Sequence, residues 1–111
     1  MSTSEPIRVA VLGGSGVYEL LDDARTIVVG TPFGPTSSPI AVGRLGGTEV
    51  AFLARHGVGH RLSPRHVPYR ANMWALASLG VHAIIGSSAV GGLSAETPTG
   101  SFVVPDQLLD R

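Results

Sequence analysis

Ile7-Arg8-Val9-Ala10-Val11-Leu12 runs without a break into Gly13-Gly14-Ser15-Gly16. The first six residues are β-branched and nearly continuously apolar, which predicts a strand buried on both faces, as in the parallel part of an α/β sheet. The glycines that follow let backbone N–H groups approach a ligand at the strand's carboxyl end, and Ser15 adds a hydroxyl. Two familiar phosphate loops are excluded at once. A dinucleotide loop built on Gly14 and Gly16 wants Gly or Ala at 19, where Glu19 stands, and an acid after the second strand, where Gly30-Thr31 stands. A P-loop wants Gly-Lys-Ser/Thr, and the chain has no lysine.

Outward from this stretch, Val17–Asp22 is expected as a short helix and Thr26–Val29 as a second strand. Thr31 to Pro39 is a proline-rich loop. Ile40–Leu45 and Glu49–Ala54 flank Gly46-Gly47, which predicts a β-hairpin with a tight turn. Arg55–Val67 has no period and reads as a loop. Pro68 suits a helix first turn; Tyr69, Met73, Leu76 and Ala77 recur at helical spacing, and Gly80 is placed to end the helix. Met73 and Trp74 are expected in the core. His82–Gly86 reads as a strand leading into Ser87-Ser88-Ala89, and Ser101–Val104 as one more strand. The order is strand-rich with one crossover helix, which predicts an α/β fold with a mixed sheet.

The 111 residues suffice for one small domain burying about two-thirds of its unfolded surface. Apolar residues make up 43% and charged residues 14%, too apolar for a disordered tail. So little charge leaves apolar surface that further chain or another subunit is expected to cover. The chain stops at Asp110-Arg111, just after an apolar Leu108-Leu109 pair, and is expected to be the front part of a longer polypeptide. With no cysteine there is neither a disulfide framework nor a thiolate metal site. No apolar run approaches the roughly 20 residues of a membrane span, and the N-terminus lacks a secretory pattern, so a cytoplasmic protein is expected.

Net charge is zero, which argues against non-specific nucleic-acid binding. Its distribution is uneven. Between Glu49 and Glu96 there is no acid, yet Arg55, Arg61, Arg65 and Arg70 lie there, with His56, His60 and His66. Such a segment expects an anion, or acids folded in from elsewhere. His56 and His60 are four apart, but Gly57 and Gly59 between them disfavour the helix that would align both rings on a metal, and no metal site is expected.

Three predicted strand ends thus carry anion-binding chemistry: Gly13–Gly16, Arg55–His56 and Ser87–Ala89. Ligands of α/β sheets collect outside the carboxyl ends of strands. Arg55 offers a planar fork of donors matched to two phosphate oxygens, His56 a ring nitrogen, and Ser88 with the Ala89 amide the far side. Each segment alone has a plainer explanation as a turn, an ion pair or a polar strand end.

Taken in order, Val11–Gly16, Thr31-Pro32-Phe33-Gly34, Leu53-Ala54-Arg55-His56-Gly57, Val67–Leu76, Ser87–Leu93 and Gly100–Gln107 resemble the methylthioadenosine phosphorylase branch of the trimeric purine nucleoside phosphorylase family. The likeness runs from Ile7 to Arg111. It implies a mixed central sheet of the nucleoside phosphorylase type, with residues 1–111 as the N-terminal part of a single domain. It further implies a homotrimer, a purine nucleoside substrate such as 5′-methylthioadenosine, and inorganic phosphate as co-substrate with no cofactor. By position in these motifs the family's phosphate ligands fall on Ser15, Arg55, His56, Ser88 and Ala89. The leaving-group acid falls outside the chain, Asp106 is not in that role, and no catalytic residue is assigned within it. The chain alone is expected to be inactive. The family more often has Thr at Ser15 and Thr-Thr-Ala-Cys-Gly where Ser87-Ser88-Ala89-Val90-Gly91 stands here; serine keeps the hydroxyl. Two alternatives are a 6-oxopurine nucleoside phosphorylase and a non-catalytic module that binds phosphate or a nucleotide.

Overall fold

A computed structural model describes residues 7–13, 15–59, 61–88 and 90–107, with side chains described at the same positions except 15–17. Its centre is a five-stranded sheet. The strands are β1 (Val9–Gly13), β2 (Asp22–Ile27), β3 (Ile40–Leu45), β4 (Thr48–Ala54) and β5 (Ala83–Gly86), in the spatial order β2-β3-β4-β1-β5. β1 pairs in parallel with both β4 and β5, whereas β2–β3 and β3–β4 are antiparallel, so the sheet is mixed as expected.

Alternation along the strands sorts the apolar residues onto two faces. Ala10 and Leu12, Ile40 and Val42, and Ala51 and Leu53 point to one face, where Ala75 and Leu76 of helix α1 (Tyr69–Ser78) pack on them. Val50 and Phe52 point to the other, with Ala41 and with Leu21 from the turn after a 3-10 helix at Ser15–Leu20. The hairpin between β3 and β4 turns on Gly46 and Gly47, whose φ angles of 59° and 84° give the left-handed pair that a two-residue hairpin turn requires. α1 ends as the sequence predicts. Gly80 sits at φ 93°, its amide reaches Ala77 O at 3.0 Å, and the Val81 amide reaches Leu76 O at 3.2 Å, the paired bonds of a Schellman motif.

Three expectations are corrected. The second strand is Asp22–Ile27 rather than Thr26–Val29. It is almost wholly exposed and bulged between Asp22 and Arg25, so it carries no apolar pattern by which to place it. Ser101–Val104 is not a strand, and no strand among the described residues pairs with it; Phe102 and Val104 are exposed. Met73 and Trp74 are 39% and 41% exposed rather than core. α1 instead buries Ala71, Asn72, Ala75 and Leu76. The exposed aromatic side of α1 joins Phe33, over which the Arg70 guanidinium stacks at 5.9 Å. Apolar surface is extensive, as the composition implied: Ile85, Val90 and Leu93 are also exposed. No helix among the described residues is long and apolar enough to cross a membrane.

Candidate anion site at the strand ends

The registers Gly13↔Ala54 and Leu12↔Gly86 bring the carboxyl ends of β1, β4 and β5 to one edge of the sheet. Each ladder continues one residue further, with the Arg55 amide on Gly13 O at 3.2 Å and the Ser87 amide on Leu12 O at 3.0 Å. Of the sequence-predicted ligands, Arg55, His56 and Ser88 therefore share this edge. Ser15 opens the 3-10 helix directly after β1; its side chain, like the whole of Ala89, lies outside the described residues.

Arg55 and His56 are the two central residues of a turn closed by the Gly57 amide on Ala54 O at 3.1 Å. The Arg55 side chain folds across the strand ends and donates through Nη2 to Leu12 O at 3.0 Å. Gly86 lies beneath it: a Cβ there would meet Nη2 at 3.5 Å. Guanidinium has five N–H donors in a fixed fork, so one anchoring bond orients the plane while leaving the geometry for bidentate contact with an oxyanion intact. His56 is held on both sides by Leu62, whose amide reaches His56 O at 2.8 Å and whose carbonyl oxygen lies 2.8 Å from His56 Nδ1. A carbonyl only accepts, so the neutral ring carries its hydrogen on Nδ1.

Gly13 is required by close approach: a Cβ there would collide with Ser87 Oγ. The Ser87 side chain thus occupies the space that a side chain at position 13 would need.

Sequence reading missed a buried polar cluster behind the turn. Ser37, 1% exposed, and Asn72, 0% exposed, bond to each other, and the Ser37 hydroxyl donates to the carbonyl oxygen of Ala54, the residue before Arg55. The available signal was Asn72 itself, a lone amide in the otherwise apolar Ala71-x3-Ala75-Leu76 stripe of α1.

Residues 8–111 match the family model described as the phosphorylase superfamily. The chain belongs to that superfamily. It is similar to the S-methyl-5′-thioadenosine phosphorylase of Mycolicibacterium smegmatis, 57% identical over 104 residues, or 93% of this chain and 40% of the relative. It is also similar to a purine nucleoside phosphorylase of Streptomyces coelicolor, 47% identical across 100% of this chain and 40% of the relative. Among solved structures, a substituted adenosine/methylthioadenosine phosphorylase of Schistosoma mansoni in complex with adenine superposes with a TM-score of 0.74 at 39% identity, covering 81% of this chain and 31% of the other. A methylthioadenosine phosphorylase from an antarctic soil metagenomic library gives 0.70 at 47% identity, covering 74% and 30%. This superfamily chain spans about 40% of the length of the curated relatives it matches.

Proposed function

We propose that the chain supplies the phosphate site of a nucleoside phosphorylase that splits 5′-methylthioadenosine. The observation that carries the reading is the turn bearing Arg55 and His56 at the common edge of β1, β4 and β5, in a chain 57% identical to a methylthioadenosine phosphorylase. Inorganic phosphate is the co-substrate and no cofactor takes part. Arg55 grips two phosphate oxygens; His56, the Ser15 and Ser88 hydroxyls and the Ala89 amide close the remaining sides.

The reaction is a displacement at the anomeric carbon. A phosphate oxygen forms the new bond to C1′ as the bond to the purine nitrogen breaks, and the bonding pair leaves with the base. The products are free adenine, after protonation, and methylthioribose 1-phosphate. Positive charge develops on the sugar before capture, so a fixed phosphate below the ring stabilises the transition state electrostatically and then reacts with it. Arg55 and His56 act by positioning and charge. The proton or hydrogen bond for the departing purine comes from residues outside this chain.

Residues 1–111 are then the N-terminal part of one phosphorylase domain, inactive by themselves, in a cytoplasmic homotrimer. The Streptomyces coelicolor relative, a purine nucleoside phosphorylase matched over the whole chain, supports a second reading in which the substrate is another purine nucleoside, such as a 6-oxopurine nucleoside.

The test uses the full-length polypeptide with methylthioadenosine and inosine, each with and without phosphate. Base release that requires phosphate establishes phosphorolysis, and the preferred nucleoside decides between the readings. Release independent of phosphate, or none from either, overturns both.

A further inference from the structure

Ala54 is gripped at both of its main-chain polar atoms. Its amide donates to Ser38 Oγ at 3.1 Å, and its carbonyl oxygen accepts the Ser37 hydroxyl at 2.6 Å besides the Gly57 amide that closes the turn. Ser37 is in turn fixed by Asn72 of α1. The Ser37 amide donates to Asn72 Oδ1 at 3.0 Å, and Asn72 Nδ2 donates to Ser37 Oγ at 3.2 Å. A backbone amide can only donate, so it sets which way the Asn72 side chain lies, with Oδ1 toward Ser37 N and Nδ2 toward the hydroxyl. A serine hydroxyl has one hydrogen; with the Asn72 amide pointing into its lone pair, that hydrogen is directed at Ala54 O. The carbonyl of Ser37 is occupied from the far side of the turn, by Arg61 Nη2 at 3.3 Å.

We propose that Ser37 and Asn72 are positioning residues for phosphate, a relay by which α1 fixes the turn that presents Arg55 and His56. The proposal rests on the phosphate reading of that turn. Neither residue touches the ligand. Asn72 is buried on the sheet-facing side of α1, and Ser37 lies between it and the end of β4. The relay's polarity matters, because reversing one donor releases the hydroxyl from Ala54 O while leaving the rest of the packing in place. Buried polar pairs of this kind specify one local arrangement when every member is satisfied.

Asn72→Asp makes that reversal. The carboxylate still accepts from the Ser37 amide, but now draws the hydroxyl hydrogen away from Ala54 O. Ser37→Ala removes the hydroxyl and keeps the backbone bond to Asn72. Leu76→Ala, buried on the same helix outside the relay, serves as the packing control.

In the full-length polypeptide, Asn72→Asp and Ser37→Ala are expected to raise the phosphate KM about tenfold, with the nucleoside KM and kcat moving by less than about threefold. Leu76→Ala is expected to lower Tm while leaving the phosphate KM within about twofold. Unchanged phosphate KM in folded Ser37→Ala overturns the proposal, as does an equal rise in Leu76→Ala. Nitrogen NMR of the Arg55 guanidinium and the His56 ring reads the same relay without turnover. Shifts at both in either relay variant support it, and unmoved resonances refute it. If the wild type shows no phosphate-dependent release, the functional reading falls, and the NMR result alone decides whether the relay orients the turn.

Discussion

Arg55 Nη2 and Leu12 O are joined at 3.0 Å, and the same oxygen accepts the Ser87 amide at 3.0 Å. The guanidinium is thereby tied to the junction of β1 and β5 while its backbone belongs to the end of β4. In the proposed phosphate site, the fork is thus oriented before any ligand arrives, which lowers the cost of ordering a long side chain. In the full-length polypeptide, Arg55→Ala is expected to raise the phosphate KM by one to two orders of magnitude, matching the loss of charge-assisted bonds of about 1.5–3 kcal/mol. Arg55→Lys keeps the charge but loses the fork and should recover only part of the loss. Initial rates against phosphate concentration check both, and an unchanged dependence would remove Arg55 from the site.

Gly13→Ala places a methyl group against Ser87 Oγ. Overpacking of this kind costs about 1–3 kcal/mol. Pairing it with Ser87→Ala removes the colliding oxygen and should restore most of the stability. A denaturation cycle over the four proteins reads the coupling, and strictly additive losses would show that the collision is relieved some other way.

Leu76→Ala removes a fully buried side chain between α1 and the sheet. The expected loss is about 2–5 kcal/mol in urea unfolding, the range for cavities left by truncated leucines. A loss below about 1 kcal/mol would place α1 outside the cooperative core.

Gly80→Ala forces a Cβ into the left-handed conformation that ends α1 at φ 93°. Space is not limiting, since the nearest atom to such a Cβ is Ile7 O at 3.9 Å. The loss should therefore reflect backbone strain alone, about 1–2 kcal/mol. Gly80→Asn is expected to lose less, because asparagine tolerates this region better, and the order of the two Tm values checks the assignment.

Much of this was legible in the chain. β1, β3, β4 and α1 carry strong signals: continuous β-branched residues, a Gly-Gly turn between alternating runs, and a proline and glycine bracketing a helix. β2 was displaced because Asp22–Ile27 is exposed and gets its strand character only from β3 beside it. Ser101–Val104 had the composition of a strand, yet composition supplies no ladder partner. Periodicity placed the helix and the buried Leu76, but Tyr69 and Met73 of the same stripe are exposed while Ala71 and Ala75, which weigh little in an apolar count, are buried. At the proposed site, the fold brings Arg55, His56 and Ser88 to one edge of the sheet, and all three were readable as candidates from type and position. Those that hold the turn, Ser37 and Asn72, were not, because a hydrogen bond across 35 positions leaves no local pattern.

The mixed pairing of the sheet also orders its assembly. β3 and β4 pair across the Gly46–Gly47 turn, with Leu45 opposite Thr48, whereas β1 finds β4 only by bringing Val9 beside Val50. Loop closure favours the short hairpin, so β3 and β4 should zip first and the parallel strands dock later. The proposed anion site draws on β1, β4 and β5 together and thus arises at the end of that sequence. In pulse-labelled refolding, amides of β3 and β4 are expected to gain protection before those of β1, making competence for phosphate a reporter of the last step to the native chain.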